Sequence, residues 1–257
     1  LAAPSFVAAS TGGQDISGEW IATCHSPGAA NRVIIFQYLQ DGTSSSPPTI
    51  SSTTNILSLA GVSGSWTAAP NNPYAIGSPT AANQYVFFGR STSTSAPEVT
   101  GANVGGNDVY FRFYEFQNVS TGTTLATVIE NGSAGSTANG VGTSNTAADT
   151  GVTTLDTDRL AINLLGINDD NPFAGFSGET GGTWTTEASF ASATGNDAAI
   201  YLIDAPMASA GTINGGTGSI TDSDAWGVVG FALIGTTAAA AYQPRHGFVS
   251  YQDPGVL

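Results

Sequence analysis

The sequence predicts an all-β protein: a jelly-roll-like two-sheet β-sandwich built from two similar halves. Its apolar segments are short, rich in β-branched and aromatic residues, and bounded by Gly, Asn, Asp, Ser or Pro. Leu, Glu, Lys and Arg never build a run at helical spacing, and glycine supplies 33 residues, a composition that disfavours helices. The order of the segments also repeats along the chain.

The clearest strands are predicted over 32–39 (RVIIFQYL), 84–89 (QYVFFG), 108–116 (DVYFRFYEF), 159–165 (RLAINLL), 198–203 (AAIYLI) and 226–234 (WGVVGFALI). In 108–116, Val109, Phe111, Phe113 and Glu115 fall on one face and Tyr110, Arg112, Tyr114 and Phe116 on the other. Aromatics on both faces predict a central strand covered on both sides.

The repeat has four blocks in one order. NRVIIFQYLQDG (31–42) resembles DRLAINLLGINDDN (158–171), and AGVSGSWT (60–67) resembles AGFSGETGGTWT (174–185). QYVFFG then corresponds to AAIYLID, and the segment 107–124 to 223–237. The first half is placed at 1–130 and the second at 155–237, joined by a Gly/Ser/Thr-rich connection at 131–154. Two small sandwiches in tandem are the alternative. After 237 the segment 238–257 reads as a C-terminal arm, broken by Pro244 and Pro254 and carrying Tyr242, Arg245, Phe248 and Tyr251. It either folds back on its own domain or reaches a neighbouring subunit.

With 257 residues, 40% of them hydrophobic, the chain can bury a sizeable core. Only 9% of residues are charged and the formal net charge is −14. There is no lysine, and the cations are Arg32, Arg90, Arg112, Arg159 and Arg245, too scattered to neutralise a phosphate backbone. No nucleic-acid partner is expected. No membrane partner is expected either, since no apolar stretch approaches the roughly 20 residues of a spanning helix. The opening LAAPSFVAAS lacks a basic region and a long apolar core, so it does not read as a retained signal peptide.

Catalytic signatures are sparse. Cys24 is alone, and on a strand His25 would point to the opposite face, so the two are not expected to form a thiolate–imidazole pair. His25 and His246 are the histidines available to a serine triad, and no nucleophile elbow or phosphate-cradling glycine loop is present. A glycosidase would need two carboxyls across a cleft. Glu98, Glu115, Glu179 and Glu187 are the candidates, no pair among them is favoured by spacing, and Glu179 and Glu187 fall in segments that read as loops. No catalytic residue, no cofactor and no required metal are assigned. A structural calcium ion, if held, falls to Asp156 and Asp158, to Asn168, Asp169, Asp170 and Asn171, or to Asp222 and Asp224. Trp66 and Trp184 occupy matched positions in the two halves. Exposed, they would stack on sugar rings of a host-surface glycan; buried, they are equivalent core residues.

Proteins commonly protect exposed sheet edges with lysine or other charges. A lysine-free chain with few charges is therefore expected to cover its edges with its own loops or with neighbours in an assembly. The opening APSFVAASTG, the strand NRVIIFQYLQDG, a G-x-W turn, an aromatic strand and a second series ending in AWGVVGFALIGTT together resemble a diffuse group of virion proteins of tailed bacteriophages, especially marine ones. The resemblance covers most of residues 4–237. It implies a non-enzymatic β-sandwich structural protein on the outside of the virion, as a capsid decoration or cement protein or as a tail-fibre or tail-tip subunit. Its implied partners are copies of itself and other virion proteins. A carbohydrate-binding adhesin is the alternative.

Overall fold

A computed structural model describes residues 2–15, 19–42, 49–102, 108–130, 139–195 and 197–236. In chain order the first strands are β1 (Ser5–Ala9), β2 (Gly13–Asp15), β3 (Glu19–Thr23), β4 (Val33–Asp41), β5 (Thr49–Thr54) and β6 (Ile56–Ser58). Then come β7 (Thr67–Ala68), β8 (Tyr74–Ile76), β9 (Ala82–Ser91), β10 (Glu98–Ala102), β11 (Val109–Gln117) and β12 (Ile129–Glu130). The rest are β13 (Asn139–Ala148), β14 (Val152–Thr154), β15 (Arg159–Ile167), β16 (Thr185–Ser192), β17 (Ala198–Met207), β18 (Gly211–Ile213) and β19 (Thr217–Ile234).

Each half of the chain builds one large antiparallel sheet and a smaller covering one, except that β12, inside the predicted first half 1–130, joins the large sheet of the second. In the first, β4 lies between β11 and β9, with β1 and β2 beyond β11 and with β6, β7 and β8 along the far edge of β9. In the second, β15 lies between β19 and β17, with β12 and β13 beyond β19 and with β16 on β17. The registers coincide as well as the order. Aligning Arg32 with Arg159 places Ile35 on Ile162; Ile35 pairs with Phe88 and Tyr114, and Ile162 with Asp204 and Phe231. Thr67 in turn pairs with Phe88 and Thr185 with Asp204, so Trp66 and Trp184 are true equivalents. The body is thus a β-sandwich of two similar halves.

Strand alternation sends Val33, Ile35, Val86, Phe88, Tyr114 and Phe116 of the first sheet against Ile162, Leu164, Leu202, Val229, Phe231 and Leu233 of the second. Phe88 meets Phe231 edge to face, with ring centroids 5.2 Å apart. The opposite face of the first sheet, with Phe36, Tyr38, Tyr85, Phe87, Phe111 and Phe113, is covered by a three-stranded sheet of β3, β10 and β5 through Trp20, Ala22 and Val99. The outer face of the second sheet is covered by the β14–β18 pair and by Phe173, Phe176 and Trp184. Four layers result, which is why the central strands read as near-continuous apolar runs.

The six predicted strands correspond to β4, β9, β11, β15, β17 and β19. The stretch 131–154, expected to be a connection, instead contains β13, which pairs along β19, and β14, which pairs with β18. A backbone ladder needs no apolar side chains, and Gly142 leaves room for the ring of Trp226. Residues 131–138 and the arm 238–257 lie outside the described residues.

The two poles of the sandwich differ in charge. Arg32, Arg90 and Arg159 stand where β4 begins, β9 ends and β15 begins. Asp41, Asp108, Asp169, Asp170, Asp197 and Asp224 cluster around the other ends of the same strands, and Arg112 lies midway along β11. The chain enters and leaves the described body side by side at the arginine pole, where Ala2 bridges to Thr236.

Candidate functional site

One arrangement has the outline of a nucleophile–imidazole–carboxylate triad. The Cys24 thiol lies 3.5 Å from His25 Nδ1, and His25 Nε2 lies 2.8 Å from Glu115 Oε2. This corrects the expectation that Cys24 and His25 point apart: both lie beyond the end of β3, where strand alternation no longer applies. The chemistry is that of a structural cluster. Cys24 is 3% exposed, and burial, with the Glu115 carboxylate nearby, pushes its thiol up to about 12, away from the thiolate a nucleophile needs. Glu115, itself buried, also accepts the Gly28 N–H at 3.0 Å and faces Arg32 Nε at 3.5 Å.

The tryptophans part company. Trp184 is buried, its indole N–H donating to Asp149 Oδ2 at 2.7 Å, so it offers no ring face to a sugar. Its burial corrects the exposed-pair reading and agrees with the core one. Trp66 is half-buried against Phe36 and Phe113, and borders a cleft of about 200 Å3 with Ile50, Ser65, Ala68 and Phe87. Its Nε1 has no hydrogen-bond partner among the described residues.

Of the calcium candidates, the structure brings Asp169 and Asp170 together with Asp197, their oxygens within 4.8 Å of one another. Asp224 lies close enough to help raise the Asp169 carboxyl, after burial as the larger cause, and it accepts a hydrogen bond from Asn171. Asp156 and Asp158 lie at the arginine pole and do not join them. The cluster is a hard-oxygen group of the kind that also forms where Asp and Asn end strands.

Among the candidate glutamates, Glu98 is exposed at the start of β10, and Glu179 Oε1 caps the Trp184 N–H at 2.9 Å. Glu187, expected in a loop, is in β16 at a register shift: Thr186 pairs with Ile203 and Ala188 with Leu202, leaving Glu187 as the bulged residue. There it faces a carboxylate that sequence reasoning missed. Asp204, on the inter-sheet face of β17, is 5% exposed and makes no hydrogen bond or ion pair with any described residue. Burial, then the facing Glu187 carboxylate, push Asp204 up to about 7. Both line a cleft of about 180 Å3 with Pro4, Ser5, Phe6, Leu160 and Pro206. A signal did exist in the sequence, because Asp204 is the repeat equivalent of Phe88 and an acid there breaks the apolar pattern.

The arm residues Tyr242, Arg245, Phe248 and Tyr251 lie outside the described residues. In comparisons with known proteins, no family model, no curated protein and no solved structure matches the chain.

Proposed function

We propose that the chain is a non-enzymatic structural protein of the outer surface of a tailed-phage virion, a capsid decoration or tail-fibre subunit that associates with copies of itself and with neighbouring virion proteins. The observation that carries this reading is that the described body begins and ends at one pole of a four-layered sandwich, with Ala2 beside Thr236. Chain that continues past Ala2 or Thr236 leaves the body at that pole, opposite the aspartate pole. The buried, thiol-form Cys24 in the triad-like cluster supports a structural role over a nucleophilic one. Light scattering of the purified full chain tests the assembly: a closed oligomer is expected. A monomer that turns over a polysaccharide, and stops doing so on Glu187→Gln, overturns it.

A second reading, a carbohydrate-binding adhesin, is favoured by the Trp66 cleft alone, since aromatic rings with one accessible face stack on sugars. Its test is a glycan array on which Trp66→Ala abolishes binding while Trp184→Phe preserves it.

A further inference from the structure

The Asp204–Glu187 cleft has an internal control in the duplicated half. Leu160 pairs with Pro206 and Leu233, and Val33 with Arg90 and Phe116. Phe6 on Phe116 corresponds to Ile129 on Leu233. The equivalent seam in the first half therefore holds Ile129, Phe88, Val33 and Arg90 where the cleft has Phe6, Asp204, Leu160 and Pro206. That seam is closed: Ile129, Phe88 and Val33 are core, and Arg90 donates to the carbonyls of Ser120 and, at 3.1 Å, Gly122. Glu187 has no counterpart there, because Ala69, whose N–H donates to Val86 O at 2.8 Å, takes the place of Ala188. One seam thus carries its own cation and no acid, and the other two acids and no cation.

A buried carboxylate that accepts no hydrogen bond from the described residues and faces a second carboxylate is costly, and a guanidinium relieves both faults with charge-assisted hydrogen bonds. The cleft, at about 180 Å3, falls below the roughly 300–1,000 Å3 of small-molecule sites, and its proline, phenylalanine and leucine walls suit the apolar stem of a long cationic side chain. The chain has no lysine. Arg32 is held by Gln117 and Glu115, Arg90 by main-chain carbonyls, Arg112 by Ser10 O, and Arg159 by Glu130 at 2.5 Å. Arg245 is the remaining arginine. The chain is fixed at Thr236, beside Ala2, and a side chain on Gly235 would already lie 3.2 Å from Pro4 of the cleft wall. Nine residues lead from Thr236 to Arg245 and reach up to about 30 Å, ample for a cleft that begins at Pro4.

We propose that the cleft between β1 and β16 is a docking site for the chain's own C-terminal segment, with the Arg245 guanidinium donating to the carboxylates of Asp204 and Glu187. The proposal goes beyond the assembly reading and does not need it.

Trypsin cleaves after arginine, so cleavage of the Arg245–His246 bond in the intact full-length protein reads the occupancy of the cleft. Asp204→Asn, and separately Glu187→Gln on an exposed side chain that cannot unfold the body, are each expected to speed that cleavage about tenfold, the change expected from losing charge-assisted hydrogen bonds. Protection in the wild type is expected to be the same across a hundredfold dilution. Equal cleavage rates in the wild type and both variants overturn the proposal, and so does protection that fades on dilution, which would place the contact between copies. An oligomer by light scattering with equal cleavage rates removes the docking site and leaves the assembly reading; a monomer with a protected Arg245 does the reverse.

Discussion

Between the two sheets lies a polar cluster in an otherwise apolar layer, and its removal gives a sharp test of how the sandwich is held. Gln37 Nε2 donates to Gln84 Oε1 at 2.8 Å and to Leu165 O at 3.1 Å, Gln84 Nε2 donates to Leu164 O at 3.1 Å, and the Tyr114 hydroxyl donates to Gln37 Oε1 at 2.6 Å. The repeat register equates these residues with Leu164, Ile200 and Phe231, so the second half fills the same three places with apolar groups. Gln37→Leu leaves the Gln84 carbonyl and the Tyr114 hydroxyl buried without those partners. At roughly 1–3 kcal/mol for each orphaned group, less a small gain from apolar burial, the expected loss is about 2–5 kcal/mol. For a chain of this size that corresponds to a fall of roughly 5–15 °C in melting temperature. The triple variant Gln37→Leu, Gln84→Ile, Tyr114→Phe removes every side-chain partner at once and is expected within about 1 kcal/mol of the wild type. Urea denaturation followed by tryptophan fluorescence measures both. A triple variant as unstable as Gln37→Leu would refute the reasoning, because it would show that shape, and not orphaned polarity, sets the cost.

Gly101→Val drives a side chain into the ring of Trp20, and overpacking of this kind costs about 1–3 kcal/mol, read as a lower urea midpoint with an altered near-ultraviolet signal from Trp20. Cys24 is expected to resist a thiol reagent at pH 8 in the folded protein and to react at once in urea; fast labelling of the native state would reopen the nucleophile reading. Asp169 has a folded-state carboxyl raised by burial, Asp224 and Asp170, so its contribution to stability is fully present below its unfolded value and is lost as pH rises through the folded one. Asp170→Asn is expected to move the Asp169 titration down in a carbon-detected NMR experiment and to soften that loss, and an unmoved titration would remove Asp170 as a cause.

The six central strands were legible because burial on both faces forces β-branched and aromatic residues into nearly every position, as in Val33–Asp41 and Ala198–Met207. The covering strands were not. In β3, Trp20 and Ala22 are buried between exposed Glu19, Ile21 and Thr23, and so short an alternation does not stand out in a Ser/Thr/Gly-rich chain. β13 pairs through its backbone, which composition cannot report. The duplication was readable from four blocks, and it located Trp66 and Trp184 as equivalents, but not that one is half-buried and the other bonded to Asp149. The distinction depends on a partner 35 residues away along the chain. Asp204 escaped because the apolar run ends at Ile203, whereas β17 continues to Met207 and turns Asp204 inward.

The same duplication separates what folding requires from what it does not. At equivalent positions in one fold, stability alone gives one answer, and the first half supplies it: Phe88 and Ile129 fill the seam and Arg90 closes it with main-chain hydrogen bonds. In the second half Asp204 stands in the place of Phe88, and an extra residue in β16 sets Glu187 opposite. Neither change improves packing, and each adds a charge that the described body leaves uncompensated. The aspartate pole can be read as residues that end strands, since partly solvated charges cost little. A carboxylate that is 5% exposed cannot be read that way, because desolvation sets its cost whatever its place on the surface. The asymmetry between the two seams therefore marks the β1–β16 cleft, rather than the acidic pole or the triad-like cluster, as the place where this sandwich departs from the demands of its own fold.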